Sequence, residues 1–384
     1  MSKNNGASGQ RSARTGLDTR WPRVALAIAG IWSLLYLALG IAWLMGGPGN
    51  PADPAVDEGA ALSLLGSLGP VAGAVTVTTL AALGVLLAGA MRFLPSAAGR
   101  FRLVHRLVLG LAGSLGVILA VVLPDYRLLA TLAYTPLLLV LKVFGAAPED
   151  ASLWEWPVVN MAVLTLAGLC WIAAAETHYR KTAKVGTEAG RGREWTTSEA
   201  AARWGRWATA VAVVVPLGYA VTRFAWALGI PLGVDQQLLD DLGNRVYLGA
   251  GLATLGVAGA ILTLGLVYQW GEVFPRWTLG IRGRRVPISL AVVPAAIVSV
   301  AVTSAGLMFV RFGVTGSFGD TFPGENDDVA AWLPEMFWPV WGIALAAATY
   351  AYWLRRRGSD RPAVSSRGVP GGISPRAGRS GPRL

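Results

Sequence analysis

Apolar residues run almost unbroken through eight stretches of the chain, roughly 24–45, 68–91, 103–123, 157–176, 207–229, 246–270, 288–310 and 337–354. Each is long enough for a helix to cross a hydrocarbon layer about 30 Å thick. In such a layer the backbone satisfies its hydrogen bonds only within helices or closed barrels, and uninterrupted runs of this length predict helices. The expected fold is therefore all-α and polytopic, with about eight transmembrane helices.

Composition narrows the class further. Hydrophobic residues make up 54% of the 384 and charged residues only 14%, against about 25% charged in an ordinary soluble domain. That excludes a soluble globular enzyme, a nucleic-acid module and a disordered chain. The single cysteine, Cys170, excludes an intramolecular disulfide or a thiolate cluster; within a span it reads as a small buried residue. Only four of the 33 basic residues are lysine, which together with abundant Ala, Gly and Pro suggests a GC-rich bacterial genome.

The net charge of +11 resembles a nucleic-acid signal until it is mapped along the chain. Segments 1–23, 92–106, 177–206, 271–286 and 355–384 hold 28 of the 33 basic residues. Segments 46–67, 124–156, 230–245 and 311–336 hold four basic residues and 15 of the 22 acids. Basic loops stay on the cytoplasmic side, so both termini are expected there and the acidic loops outside, in a bacterial cytoplasmic membrane. Residues 1–23 are polar and basic, and the apolar run after them is too long for a signal-peptide core, so it is expected to remain as the first span.

A ninth apolar stretch, residues 128–144, lies between the third and fourth spans. Counted as a full crossing, it would turn most later arginines outward, and Pro136 removes a helical hydrogen bond at its centre. A re-entrant pair of half-helices satisfies both facts; a helix along the surface is the simpler alternative.

The chain also repeats itself. Tyr36, Ala42, Trp43, Gly46 and Pro48 recur without a gap as Tyr219, Ala225, Trp226, Gly229 and Pro231. Leu94-Pro95 and Phe274-Pro275 then close the next span of each half, and Trp156-Pro157 and Trp338-Pro339 open the last. This order predicts two four-helix repeats, 24–180 and 207–354, joined by a cytoplasmic linker over 181–206. Four spans per half keep the copies parallel, with a pseudo-twofold axis along the membrane normal. Residues 1–23 and the Arg-rich tail 355–384 are expected to be disordered. The linker holds Thr196-Thr-Ser-Glu199, a capping box that should start the helix of the fifth span.

Trp270-Gly-Glu-Val-Phe-Pro-Arg-Trp277, with Gly283-Arg-Arg-Val-Pro287 after it, resembles a stretch of bacterial multi-pass membrane proteins that carry no assigned activity. The resemblance covers about 20 residues and implies no function.

Arg223 is the most unusual residue, a cation about six positions inside its span, where charge is costly and marks function by default. It could pair with an acid on 128–144, bind an anionic ligand, or snorkel to the interface. Tyr36, Trp43, Tyr219 and Trp226 sit on matching helical faces; inward, they would form a pocket for an apolar or cationic ligand, and otherwise an interfacial belt. Asp125 and Lys142 bracket the ninth stretch and could gate a ligand, or pair with Arg127 and Glu149. Glu272 with Arg276 and Glu176 with Arg180 have the spacing of helix-supporting pairs. Two parallel four-helix halves resemble the haem A synthases in outline, but those place histidines in both halves. Here His105 and His178 both lie in the first, so no haem, metal or other cofactor is expected.

Three functions stay open. The first is a carrier, permease or membrane-embedded binder of a small apolar or amphipathic molecule. The second is a non-catalytic subunit or assembly protein docked on a membrane partner or a second copy through small-residue faces. The third is an enzyme on lipid-linked substrates, for which no catalytic motif is visible. Arg355, Arg356, Arg357 and the tail are expected to meet anionic lipid of the inner leaflet.

Overall fold

The computed structural model describes residues 5–93, 102–145, 154–186, 194–276, 278, 280–318 and 329–359. Its main helices are α1 (Asn5–Leu44), α2 (Pro70–Phe93), α3 (Arg102–Val117, continued by a widened turn over Ile118–Val122), α4 (Tyr126–Val143), α5 (Trp156–Gly186), α6 (Ser198–Ala227), α7 (Gln236–Leu242), α8 (Arg245–Leu264), α9 (Ile288–Thr315), α10 (Val329–Met336) and α11 (Trp338–Ser359). Seven of them, α1, α2, α3, α5, α6, α8 and α9, are long and apolar enough to span a membrane. The eighth expected span, 337–354, falls on α11, which is as long but diluted by Trp and Tyr.

The helices are built for an apolar surround. On α1 the buried stripe is Ala25, Ala29, Trp32, Ser33, Tyr36 and Trp43, at helical spacing, while Ile28, Ile31, Leu34 and Leu35 point outward. Small and aromatic residues face the neighbours and large aliphatics face out, which is stable only where the surroundings are themselves apolar. Close approach is carried by glycine. A Cβ on Gly168 of α5 would lie 2.5 Å from the Gly116 carbonyl oxygen and 2.6 Å from the Ala120 nitrogen of the α3 segment. Both are backbone atoms with nowhere to move, so Gly168→Ala should cost about 1–3 kcal/mol. A lowered thermal midpoint in detergent checks this; an unchanged midpoint would mean the helices separate freely.

Two bundles share one neighbour pattern. In the first, α1 packs on α2 and α5, and α3 on α5; in the second, α6 packs on α8 and α11, and α9 on α11. They meet where the widened end of α3, and α4 after it, lie against α9: the Ser304 hydroxyl donates to the Pro124 carbonyl at 2.8 Å, and Tyr126 meets Phe309 at 6.2 Å.

The matched Tyr–Trp–Gly–Pro stretches end their helices in the same way. Gly46 and Gly229 take φ of +82° and +76°, which glycine adopts without strain. The Gly47 and Ile230 amides then reach back to the Ala42 and Ala225 carbonyls at 2.8 and 2.9 Å, a Schellman cap in each copy. The Trp43 indole bonds the Pro48 carbonyl (3.2 Å) and the Trp226 indole the Leu232 carbonyl (3.0 Å), pinning each loop to its helix. The Tyr-to-Pro spacing is thus a helix-ending device.

Three local expectations need correction. Residues 128–144 form one unbroken helix through Pro136, not two half-helices. Its midpoint touches the ends of other helices: the Tyr134 hydroxyl donates to Leu248, four residues into α8, and Thr135 accepts from Trp154, just ahead of α5. So the middle of α4 lies against the start of α8 and the approach to α5. The cap of α6 is Thr197, whose hydroxyl accepts from the Ala200 amide, so Glu199 falls in the first turn without closing a box. There its charge complements the helix dipole instead. Finally, α8 stops at Leu264, so Glu272 and Arg276 share no helix. Leu94-Pro95 and Glu149 lie outside the described residues, as does the Arg180 side chain.

Candidate functional site

Bonds among Gly49, Asp57, Leu62, Arg127, Trp156 and Arg311 join the α1–α2 loop to the starts of α4 and α5 and to α9, at the acidic end of the molecule. Arg223 lies near this acidic end and is 5% exposed. Its guanidinium is paired with Glu335 of α10, donates to the Ala331 carbonyl at 3.2 Å and stacks over Trp226 and Tyr219, 4.0 and 5.1 Å from the ring centroids. The expected acid on 128–144 is therefore not the partner; α10 supplies it. Glu335 is itself 3% exposed, so the carboxylate that faces Arg223 comes from within the fold. Sequence reasoning missed Glu335; its one signal is that it precedes the Trp338-Pro339 pair at the start of α11.

The four repeat aromatics do not come together. Tyr36 and Trp43 belong to the core of the first bundle, Tyr219 to that of the second, and Trp226 to a small cluster with Leu238, Leu239 and Ala331. Tyr36 stacks on Trp32 at 4.6 Å, and its hydroxyl donates to Asn160 of α5 at 2.6 Å. In the second copy Tyr219 meets Trp338 edge-on at 5.4 Å.

Asp125 caps α4 by accepting from the Arg127 amide at 2.8 Å, and its carboxylate also takes the Arg127 guanidinium. The pairing with Arg127 was expected at the surface; its Asp125 side is buried, its Arg127 side half-buried, and it has a third member. Asp57, from the α1–α2 loop, accepts from the same guanidinium at 2.6 and 3.0 Å. Burial alone would lower the Arg127 pKa, but the hydrogen bonds and charges of Asp125 and Asp57 outweigh it and hold it above the ordinary arginine value. Arg311 of α9 bonds the Leu62 carbonyl at 2.6 Å and so ties the same loop to the second bundle. Lys142 is exposed near the far end of α4, about 25 Å from Asp125 at 1.5 Å per residue. The two do not share a site.

An apolar space lies elsewhere among the described residues. A cavity of about 430 Å³ lies between α8 and α9 toward the other, basic end, within the size range of small-molecule sites, roughly 300–1,000 Å³. Small residues make the room: Gly259 and Thr263 from α8, Ala291 and Ala295 from α9. Trp341 and Leu345 of α11 form the back wall, and Trp270, Phe274, Pro275 and Val286 close the basic side. The rim residues Leu262, Leu290 and Val298 are exposed, so the cavity opens sideways, toward what would be lipid. In the first bundle α2 packs on α3, whereas α8 and α9 barely touch, and the cavity fills that gap.

The closing wall comes from residues 270–275 of the stretch that the sequence singled out. The Phe274 amide bonds the Arg284 carbonyl (3.0 Å) and the Val286 amide the Glu272 carbonyl (2.9 Å), folding 272–286 into a hairpin. Arg356, buried, donates to the Glu272 and Val286 carbonyls at 3.2 and 2.9 Å; Tyr352 bonds Gly271 at 2.8 Å; and Arg355 pairs with Glu272 at 3.3 Å. Arg355 and Arg356, expected to meet lipid, are thus turned onto the hairpin, while Arg357 stacks over Trp353 at 4.0 Å.

Among the described residues no group of three or more His, Cys, Asp or Glu could hold a metal ion. The chemistry on offer is apolar burial beside fixed charge. No family model, curated protein or solved structure matches the chain.

Proposed function

We propose that the protein resides in the bacterial cytoplasmic membrane and holds one small apolar or amphipathic molecule between α8 and α9, as its carrier or membrane-embedded binder. The observation that carries this reading is the 430 Å³ apolar cavity, opening sideways under exposed Leu262, Leu290 and Val298. In this reading α11 is the eighth span, the two bundles are parallel repeats, and both termini are cytoplasmic with the arginines. The ligand enters from the bilayer, and the hairpin limits how deep it reaches. Apolar transfer drives binding, at about 25 cal/mol for each Å² of apolar surface buried.

A diazirine-bearing acyl probe in nanodiscs tests it. Labelling should concentrate on peptides spanning 259–266 and 290–298 and be competed by unlabelled fatty alcohol. In Ala295→Trp, where the indole fills the cavity, it should fall about tenfold or more, a loss of at least 1.4 kcal/mol. Labelling that resists competition, or that persists in folded Ala295→Trp, would refute the site.

A further inference from the structure

The wall that closes the cavity is strongly basic. Its hairpin carries Arg276, Arg282, Arg284 and Arg285 against one acid, Glu272, the only acidic residue between Asp241 and Asp320. That acid is already matched, through its carboxylate by Arg355 and through its carbonyl by Arg356. Arg276, Arg282 and Arg284 are exposed. Arg276 follows the cavity-lining Pro275 and precedes Thr278, which also lines it. Arg284 gives its carbonyl to the amide of Phe274, another wall residue. The geometry therefore sets uncompensated positive charge on the same short hairpin whose inner side bounds an apolar slot.

We infer that the occupant is an anionic amphiphile: one acyl chain lies in the cavity, and its phosphate or carboxylate rests on Arg276, Arg282 and Arg284. This rests on the proposed cavity reading and adds the chemistry of the head. Guanidinium is suited to it, since its planar donors grip phosphate or carboxylate in pairs and it gives up water more readily than an ammonium does. The two arginines that latch the hairpin, Arg355 and Arg356, hold its base in place and leave Arg276, Arg282 and Arg284 for the ligand. An apolar slot alone would accept any chain; the arginines make the choice among heads.

Native mass spectrometry of the full chain tests this against two phospholipids of identical chains, phosphatidylglycerol and phosphatidylcholine, with oleate as a third probe. Variants are Arg276→Gln/Arg282→Gln/Arg284→Gln, which keeps the latch, and Ala295→Trp, which fills the slot. The inference predicts that phosphatidylglycerol is retained about tenfold more than phosphatidylcholine. The triple variant should lose that preference while still retaining lipid, and Ala295→Trp should lose retention of both. Retention of oleate with the same arginine dependence would identify a free fatty acid as a source of the anion; none would restrict the site to phosphodiesters. Equal retention of the two phospholipids, abolished by Ala295→Trp, would overturn the anionic head and leave the cavity standing. Retention indifferent to Ala295→Trp would overturn the cavity itself. A preference that survives the triple variant would place the head elsewhere and overturn the assignment.

Discussion

Replacing Arg223 with methionine is expected to cost the fold about 3–5 kcal/mol, because Glu335 would be left buried without its counter-charge. The pair joins α6 to α10 across 112 residues of sequence, and both side chains are almost wholly enclosed. Arg223 stacks over Tyr219 and Trp226, which bring no opposite charge. Glu335→Leu alone should be damaging for the converse reason, an enclosed guanidinium left beside Tyr219, Trp226 and the Ala331 carbonyl without its carboxylate. Together, Arg223→Met/Glu335→Leu should recover most of the loss, since two apolar side chains of similar size remove the desolvation cost along with the attraction. Unfolding of all four proteins in mixed micelles closes the cycle. Costs that simply add would mean that the two residues do not act as a pair. The same experiment separates a clasp from a ligand site: the double variant should keep acyl binding at the α8–α9 cavity.

Arg127→Ala should be comparably costly, by about 3–5 kcal/mol, and for a more demanding reason. One guanidinium serves two enclosed carboxylates from separate parts of the chain, with side-chain exposures of 5% for Asp57 and 1% for Asp125. Its removal takes from both the guanidinium they bond and frees the α1–α2 loop from the start of α4. Asp57 also fixes that loop by accepting from the Gly59 amide at 3.0 Å, so the loop would lose an anchor at the residue that shapes it. Arg127→Lys keeps the charge but not the planar fork that reaches both acids, and should fall between wild type and Arg127→Ala. Limited proteolysis supplies the local readout. Cleavage within 46–69 should accelerate in Arg127→Ala while the spans stay protected; equal rates would show that the loop is held without Arg127.

What was legible in the chain beforehand follows from what a one-dimensional pattern can carry. Span positions depend on the length of apolar runs, and α1, α2, α3 and α9 begin or end within a few residues of the expected limits. The Tyr–Trp–Gly–Pro repeat marked a real local structure because a Schellman cap is coded by neighbours, with glycine at the position of positive φ. Partners across the fold were not legible. Arg223 was visibly out of place, yet nothing near it in sequence names Glu335, because that contact exists only once α10 folds over α6. Asp57 was hidden in the same way behind the Asp125–Arg127 neighbourhood. The cavity was least visible of all. Gly259, Thr263, Ala291 and Ala295 look like ordinary packing residues, and whether small side chains bring helices together or leave a space depends on the helix spacing. At Gly116 and Gly168 they close the gap; between α8 and α9 they leave it open.

The central claim is that a molecule from the bilayer occupies that space. Its most direct test is the structure of the protein extracted in its own lipids and imaged in nanodiscs, beside Ala295→Trp prepared identically. The account predicts a rod of non-protein density between α8 and α9, running from the rim at Leu262 and Leu290 toward the hairpin at Phe274, and absent in the variant. Direct packing of α8 on α9 with the cavity closed, or an open cavity with no density in the wild type, would contradict it.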